Sequence, residues 1–203
     1  MNDELIQRMA DDSWNPDENP QDRAARDTLA ALGYHKAFQA VKESIGRILD
    51  GSPAAAEAKQ YLHHWMRNLF QPMVDAKILR PEDLIGYRRD QVYIRGSRHI
   101  PFPRETLLDA MEAFYDCLLN EPHPAVRAIL GHFLFVYIHP YMDGNGRTAR
   151  FLMNAMFASG GYPWTIIRVK NRDRYFAALE SASVGGEIRP LAEFVAEEMR
   201  SSK

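Results

Sequence analysis

Apolar positions along 27–49, among them Leu29, Leu32, Phe38, Val41, Ile45 and Ile48, recur at spacings of three and four, the period of a helix with one buried face. Asp50-Gly51-Ser52-Pro53 ends that helix by turn chemistry. A second helical run follows over 54–78, carrying Tyr61, Leu62, Trp65, Met66, Leu69 and Phe70, and closes at Arg80-Pro81. Around Gly96-Ser97 the period changes: β-branched and aromatic residues on either side of the pair, in 91–102, predict a short β-hairpin. Helical spacing returns over 104–119 and breaks at 120–124. The segment 125–138 is apolar on almost every face, which predicts a helix buried at the centre of the fold. A further apolar helix is predicted over 148–159, and two more over 172–182 and Arg189–Arg200. With no internal repeat, the pattern predicts a compact all-α domain with one short hairpin.

Composition narrows the classes. The 203 residues are 46% hydrophobic and 26% charged with a formal net charge of -2, which suits a folded chain and supplies no broad basic field for nucleic acid. Cys117 is the single cysteine, so neither an intrachain disulfide nor a thiolate zinc cage can form, and a reducing, cytoplasmic setting is expected. The beginning of the chain lacks the basic-then-apolar pattern of a signal peptide, and no window approaches the ~20 apolar residues of a membrane span. Residues 1–23, rich in Asp, Asn and Pro, are expected to form a loose arm with Trp14 as an anchor, followed by a helical extension over 24–57 and the main domain over 58–203.

The candidate chemistry is concentrated between the two most apolar helices, in His139-Pro-Tyr-Met-Asp-Gly-Asn-Gly-Arg-Thr-Ala-Arg150. Read as a calcium loop, Asp143 and Asn145 fit the first and third ligand positions, but Arg147, Thr148 and Asn154 stand where an acidic or amide ligand, the turn glycine and the bidentate glutamate belong. Read as a hairpin turn, Asn145-Gly146 lacks flanking strands. A plain connection between two core helices would explain the glycines alone. Gly144 and Gly146 allow successive N–H groups to converge at the N-terminus of the next helix, and Arg147 and Arg150, three apart, lie on one side of its first turns. Together these describe an anion site suited to phosphates. Asp143 within that cationic setting suits a Mg²⁺ ion. His139 either caps the carbonyls of the preceding helix or takes a proton from a hydroxyl.

This stretch resembles the motif H-x-F-x-D/E-G-N-G-R-x-x-R of the Fic (filamentation induced by cAMP) family, matching throughout except that Tyr141 replaces Phe. The likeness extends over roughly 60–200, through the hairpin, Asn154, "GYPWTII" and "EIRPLAEF". It implies a Fic-type helical domain that transfers AMP from ATP to a Ser, Thr or Tyr hydroxyl of a target protein. By matching position, the resemblance makes His139 the catalytic base and Asp143 the Mg²⁺ ligand. Gly144, Asn145 and Gly146 would hold the α- and β-phosphates, and Arg147 and Arg150 the pyrophosphate end. The segment Val92, Tyr93, Ile94, Arg95, Gly96, Ser97, Arg98, His99 and Ile100 would be a flap clamping an extended stretch of target; without the motif it would read as surface decoration. Tyr175, Leu179 and Ser183, one turn apart on a late helix, would line the nucleoside, although Tyr175 and Leu179 read equally well as core. Arg168, Lys170, Arg172 and Arg174 read as a solvated basic face.

The intact Gly-Asn-Gly-Arg favours AMP transfer over the phosphorylation of the related Doc branch. The alternatives are a Fic enzyme with another nucleotide or phosphate-containing donor, one that removes AMP, or an inactive Fic fold serving as a toxin-like interaction module. The inhibitory motif of many Fic proteins, S/T-x-x-x-E-G/N, finds only Ser183 and Glu187, with Ile188 and Gly185-Gly186 against it. Arg150 is therefore expected to be available to a γ-phosphate. Either the chain is active alone, or a separate antitoxin-like inhibitor or an upstream segment supplies the glutamate.

Overall fold

The computed structural model describes residues 19–202. Its helices are α1 (Pro20–Leu49), α2 (Ala54–Asp75), α3 (Leu107–Asn120), α4 (Pro124–Ile138), α5 (Asn145–Ala158), α6 (Arg172–Gly185) and α7 (Arg189–Arg200), with 3₁₀ turns at Pro81–Leu84, Arg104–Thr106 and Val169–Asn171. α1 begins at Pro20, so that 20–23 are helical, where the sequence pattern suggested an arm over 1–23. The start has a local cause: the Asn19 side chain accepts the Gln21 N–H at 2.9 Å, and proline is suited to a first helical position. The rest of that arm, Trp14 included, lies outside the described residues.

Among the described residues two compact units are present, one comprising 19–42 with His63–Gly86, the other Glu43–Leu62 with 87–202. In the first, Gly33 permits a close approach: a Cβ there would lie 1.9 Å from the Leu69 carbonyl oxygen. Ala37, Val41, Trp65, Met66, Leu69 and Phe70 are buried, and Lys36 pairs with Asp75 at 3.5 Å on the surface.

The second unit carries the motif. α4 packs on α3 and α5, α6 packs on α7, and α4 also touches α6 and α7. α5 is the helix enclosed on nearly all sides, with Phe151 to Phe157 all buried. α4 was expected to be enclosed, but only Ala128, Gly131, His132, Phe135 and Ile138 are buried, one face at helical spacing. Phe133, Val136 and Tyr137 instead line a cavity. An apolar wall and an apolar core give the same pattern, so the sequence could not tell them apart. At Gly131 an added Cβ would stand 2.8 Å from Leu118 Cδ2, which marks the close contact of α3 with α4.

The predicted hairpin is not formed. Among the described residues there is no strand. The segment 91–100 makes one tight turn, with Gly96 at φ 79° and the Ser97 N–H on the Ile94 carbonyl at 3.1 Å, but no ladder joins its arms. Its residues still alternate, with Tyr93, Arg95, Arg98 and Ile100 exposed and Val92, Ile94, Ser97 and His99 half-buried. Alternation records one covered face. Here side chains cover it: His99 Nε2 meets the Tyr137 carbonyl at 2.8 Å, its ring stacks on Tyr137 at 4.1 Å, and Gln91 Nε2 reaches the Pro101 carbonyl at 3.0 Å.

Candidate active site

α4 ends at His139, which takes a left-handed conformation (φ 54°, ψ 60°) and gives its N–H to the Phe135 carbonyl. Glycine or asparagine usually takes such a position, since a Cβ there costs roughly 1–2 kcal/mol. The turn places the imidazole on the cavity wall. Its Nδ1 lies 3.2 Å from the Val136 carbonyl, and a carbonyl only accepts, so Nδ1 is assigned the proton and Nε2 the lone pair. Burial lowers the His139 pKa from its usual value, helped by the charges of Arg88 and His99, against the opposing pull of the Val136 carbonyl and Asp143. The ring is therefore neutral near pH 7 with a basic nitrogen, as proton abstraction requires. The side chain thus caps a carbonyl of α4 while the ring faces the cavity.

The loop between α4 and α5 is shaped by Asn145, whose side chain is buried and grips one residue from both sides. Oδ1 accepts the Tyr141 N–H at 3.0 Å and Nδ2 donates to the Tyr141 carbonyl at 2.8 Å. What Asn145 can offer an anion thus comes from its main chain. Gly144, at φ 83°, precedes α5 and supplies no side-chain cap to its first turn. The helix begins at Asn145, three residues before the predicted start, because Gly146 is helical rather than part of the turn. Gly146 also makes room for Arg150, whose Nη1 would lie 3.4 Å from a Cβ at that position.

The two arginines diverge. Arg150 lines the cavity, and its guanidinium neighbours the Tyr175 hydroxyl. Among the described residues no carboxylate is within ion-pair distance of Arg150. Arg147 pairs with Asp143 at 3.0 Å. The Asp143 carboxylate also accepts the Gly144 N–H and is 75% exposed, so it keeps access to solvent and to a cation. No group of three His, Cys, Asp or Glu side chains forms a metal cage among the described residues.

The cavity holds about 350 Å³, within the usual size of a small-molecule pocket. It brings together His139, Gly146, Arg150, Tyr175, Leu179 and Ser183 with Ile94, Arg95, Gly96, Ser97 and His99. Asp143, Gly144, Asn145, Arg147, Val92, Tyr93, Arg98 and Ile100 do not line it. Tyr175 belongs to the core as well, its hydroxyl 2.8 Å from Nε2 of the buried His132. Burial lowers the His132 pKa to about 4 and pushes the Tyr175 phenol up to about 12, so both are neutral.

Sequence reasoning missed Phe176, Glu180 and Arg88. Phe176 and Glu180 share the stripe of α6 that carries Leu179 and Ser183, and helical spacing from those two would have found them. Glu180 accepts from the Ser97 hydroxyl and from the Arg98 N–H at 2.9 Å. Those bonds hold its carboxyl below the usual range. Arg88 gave no signal, being one arginine among several in an irregular stretch.

The cavity thus joins a glycine-rich helix start, a histidine at the end of α4 and an arginine with no carboxylate partner among the described residues. The family model for the Fic/DOC family matches residues 54–157, over half of the 203 residues, and the chain belongs to that family. A protein adenylyltransferase Fic of Nematostella vectensis is 46% identical over 114 residues, covering 54% of this chain and 26% of the relative. Its counterpart in Drosophila willistoni is 42% identical over 115 residues, covering 55% and 22%. The chain spans about a quarter of the length of these curated relatives. Fic-1 of C. elegans shares the fold, with a TM-score of 0.66 at 24% identity over 97% of this chain and 55% of that one. A Fic domain containing signaling protein from Bacteroides thetaiotaomicron gives 0.62 at 18% identity over 82% and 69%.

Proposed function

We propose that the chain is a protein adenylyltransferase, with its catalytic domain over 58–203, that moves AMP from ATP to a Ser, Thr or Tyr hydroxyl of a target protein. The observation that carries this reading is His139: a neutral imidazole with Nδ1 fixed on Val136, facing the same cavity as Arg150 and Gly146. Nε2 takes the proton of the target hydroxyl. The oxygen bonds to the α-phosphorus, the bond from that phosphorus to the bridging oxygen breaks, and pyrophosphate leaves. Such transfer depends chiefly on positioning and charge neutralisation. The main-chain N–H groups at the start of α5 suit the inner phosphates, Arg150 the outer ones, and Tyr175, Leu179 and Ser183 the nucleoside.

A Mg²⁺ ion fits the residues present. Asp143 is an exposed carboxylate that belongs to no group of three ligating side chains among the described residues, and magnesium is ordinarily held by one or two carboxylates with phosphates and water. Bound there, it would offset phosphate charge. The arms of the flap 92–100 alternate exposed and half-buried residues and are unpaired in a ladder, which suits main-chain pairing with an extended target segment. A separate antitoxin-like inhibitor, which would have to bring a carboxylate to Arg150, and a cytoplasmic setting complete the proposal.

Incubation of the protein with Mg²⁺ and each labelled nucleoside triphosphate, followed by intact-mass measurement, tests it. A mass gain of one AMP on the chain or on an added target, with ATP and not with GTP, CTP or UTP, is the expected result. No gain with any donor refutes it.

A further inference from the structure

We infer that Arg88 is a positioning residue for this reaction, holding His139 and the base of the flap in one frame. The proposal rests on the adenylyl-transfer reading only for its kinetic consequence, since the frame itself is visible in the geometry.

Arg88 is 4% exposed, and no carboxylate pairs with it among the described residues. Burying a cation without a counter-ion is unfavourable unless its donors are matched, and burial lowers this guanidinium from its usual value. Three carbonyls match it. Nε donates to His139 at 2.8 Å, Nη1 to Asp90 at 2.8 Å, and Nη2 to Phe102. The Arg88 N–H meets the Pro140 carbonyl at 2.8 Å.

Those acceptors are the ones that otherwise lack a partner of their own kind. His139 has left the α-helical region, so its carbonyl is turned out of the bond pattern of α4 and needs another donor. Asp90 and Phe102 flank the flap, which has no ladder to close it. The Arg88 fork closes it at the base, and the same fork fixes the residue that carries the base. Target segment and proton acceptor are thereby referenced to one side chain. Lysine cannot reproduce this, because it offers its donors from one nitrogen whereas these three bonds leave three nitrogens in a rigid plane.

The test compares Arg88→Lys with the parent protein in three measurements: Mg-ATP affinity by calorimetry, the kcat and KM for ATP of autolabelling with labelled ATP, and amide hydrogen exchange. In Arg88→Lys, exchange should quicken in 91–101 and 139–141. The kcat should fall about 10- to 100-fold, the scale of a misplaced reacting group. ATP affinity and KM for ATP should stay within about twofold of the parent, because the α5 start and α6 are untouched. A purely structural role would not split kcat from KM in this way. Parent-like kcat, or parent-like exchange in both segments, overturns the proposal. If the parent labels nothing, the transfer reading has failed, and exchange alone decides whether Arg88 holds the frame.

Discussion

Replacing Asn145 by alanine should destabilise the second unit through one residue's backbone. The side chain is 2% exposed and Tyr141 is 4% exposed, so the bonds at 3.0 Å and 2.8 Å are shielded from water. Removing both leaves a buried N–H and a buried carbonyl without this partner, at ~1–3 kcal/mol each. Partial repair by water brings the sum to roughly 2–4 kcal/mol, and at ~2–4 °C per kcal/mol for a chain of this length the melting temperature should drop by roughly 4–16 °C. Asn145→Asp separates the two bonds. It keeps the acceptor for Tyr141 N–H but sets a carboxylate oxygen against the Tyr141 carbonyl. Burial next to that carbonyl raises the new group's folded pKa above the ~3.9 of the unfolded chain. Its penalty is therefore full above the folded pKa and fades as pH falls towards ~3.9, where the protonated oxygen can donate again. Calorimetry of the three proteins between pH 4 and 8 reads both effects. A melting temperature for Asn145→Ala within about 1 °C of the parent, or a gap between Asn145→Asp and parent that is constant with pH, would refute the reasoning.

His139→Ala should lower transfer by ~10²–10⁴ with ATP affinity kept; equal transfer rates would remove His139 from its role, and His139→Asn, which tolerates the left-handed position, controls for backbone strain. Because burial depresses the His139 pKa, the neutral base persists below pH 6.5, and activity should be lost only as pH falls through that depressed value; a midpoint at or above ~6.5 contradicts the assignment. Asp143→Ala should raise the Mg²⁺ needed for half-maximal transfer on the order of tenfold, or ~1.4 kcal/mol, while its exposed pair with Arg147 leaves thermal stability almost unchanged; an unchanged Mg²⁺ requirement would make Asp143 a turn residue. Gly33→Ala should cost at least ~1–3 kcal/mol, because its methyl meets the Leu69 backbone at 1.9 Å, whereas Gly46→Ala, with nothing within 4 Å, should be neutral or stabilising by up to ~1 kcal/mol; equal melting temperatures for the two would refute that contrast.

The parts of the fold legible in the sequence are those where one cause governs the pattern. α7 runs over Arg189–Arg200 as its spacing predicts, and α4 starts within one residue of expectation, at Pro124. The motif was legible because glycines, a carboxylate, a histidine and arginines converge on no structural task, and His139, Gly146 and Arg150 do meet in one cavity. The hairpin was misread because alternation reports a covered face, whereas strand pairing depends on where the other arm lies. The inward turn of Asn145 was hidden because an amide in a glycine-rich loop can face either way. Arg88 was invisible because its acceptors are main-chain carbonyls up to 51 residues away, and these have no composition to read.

Glu198, near the end of α7, is 2% exposed. Burial alone would raise its carboxyl, but the Arg168 side chain and N–H and the Asn171 amide together hold it below the usual range. Through them it fastens the approach to α6, while Thr165 is fastened to Asn154 of α5 by bonds of 2.6 Å and 3.1 Å. These bonds tie the motif helix and the approach to the far wall of its cavity to neighbouring segments, although more than a dozen residues of chain separate the motif from that wall. A chain cut after Phe157 would retain His139 and Arg150 yet lose Tyr175, Leu179 and Ser183, and it would strip the covering from Asn154 and His132. A piece that keeps the whole cavity and these bonds therefore extends to Glu198, and a shorter fragment that bears the whole motif should fail to fold, which circular dichroism would read.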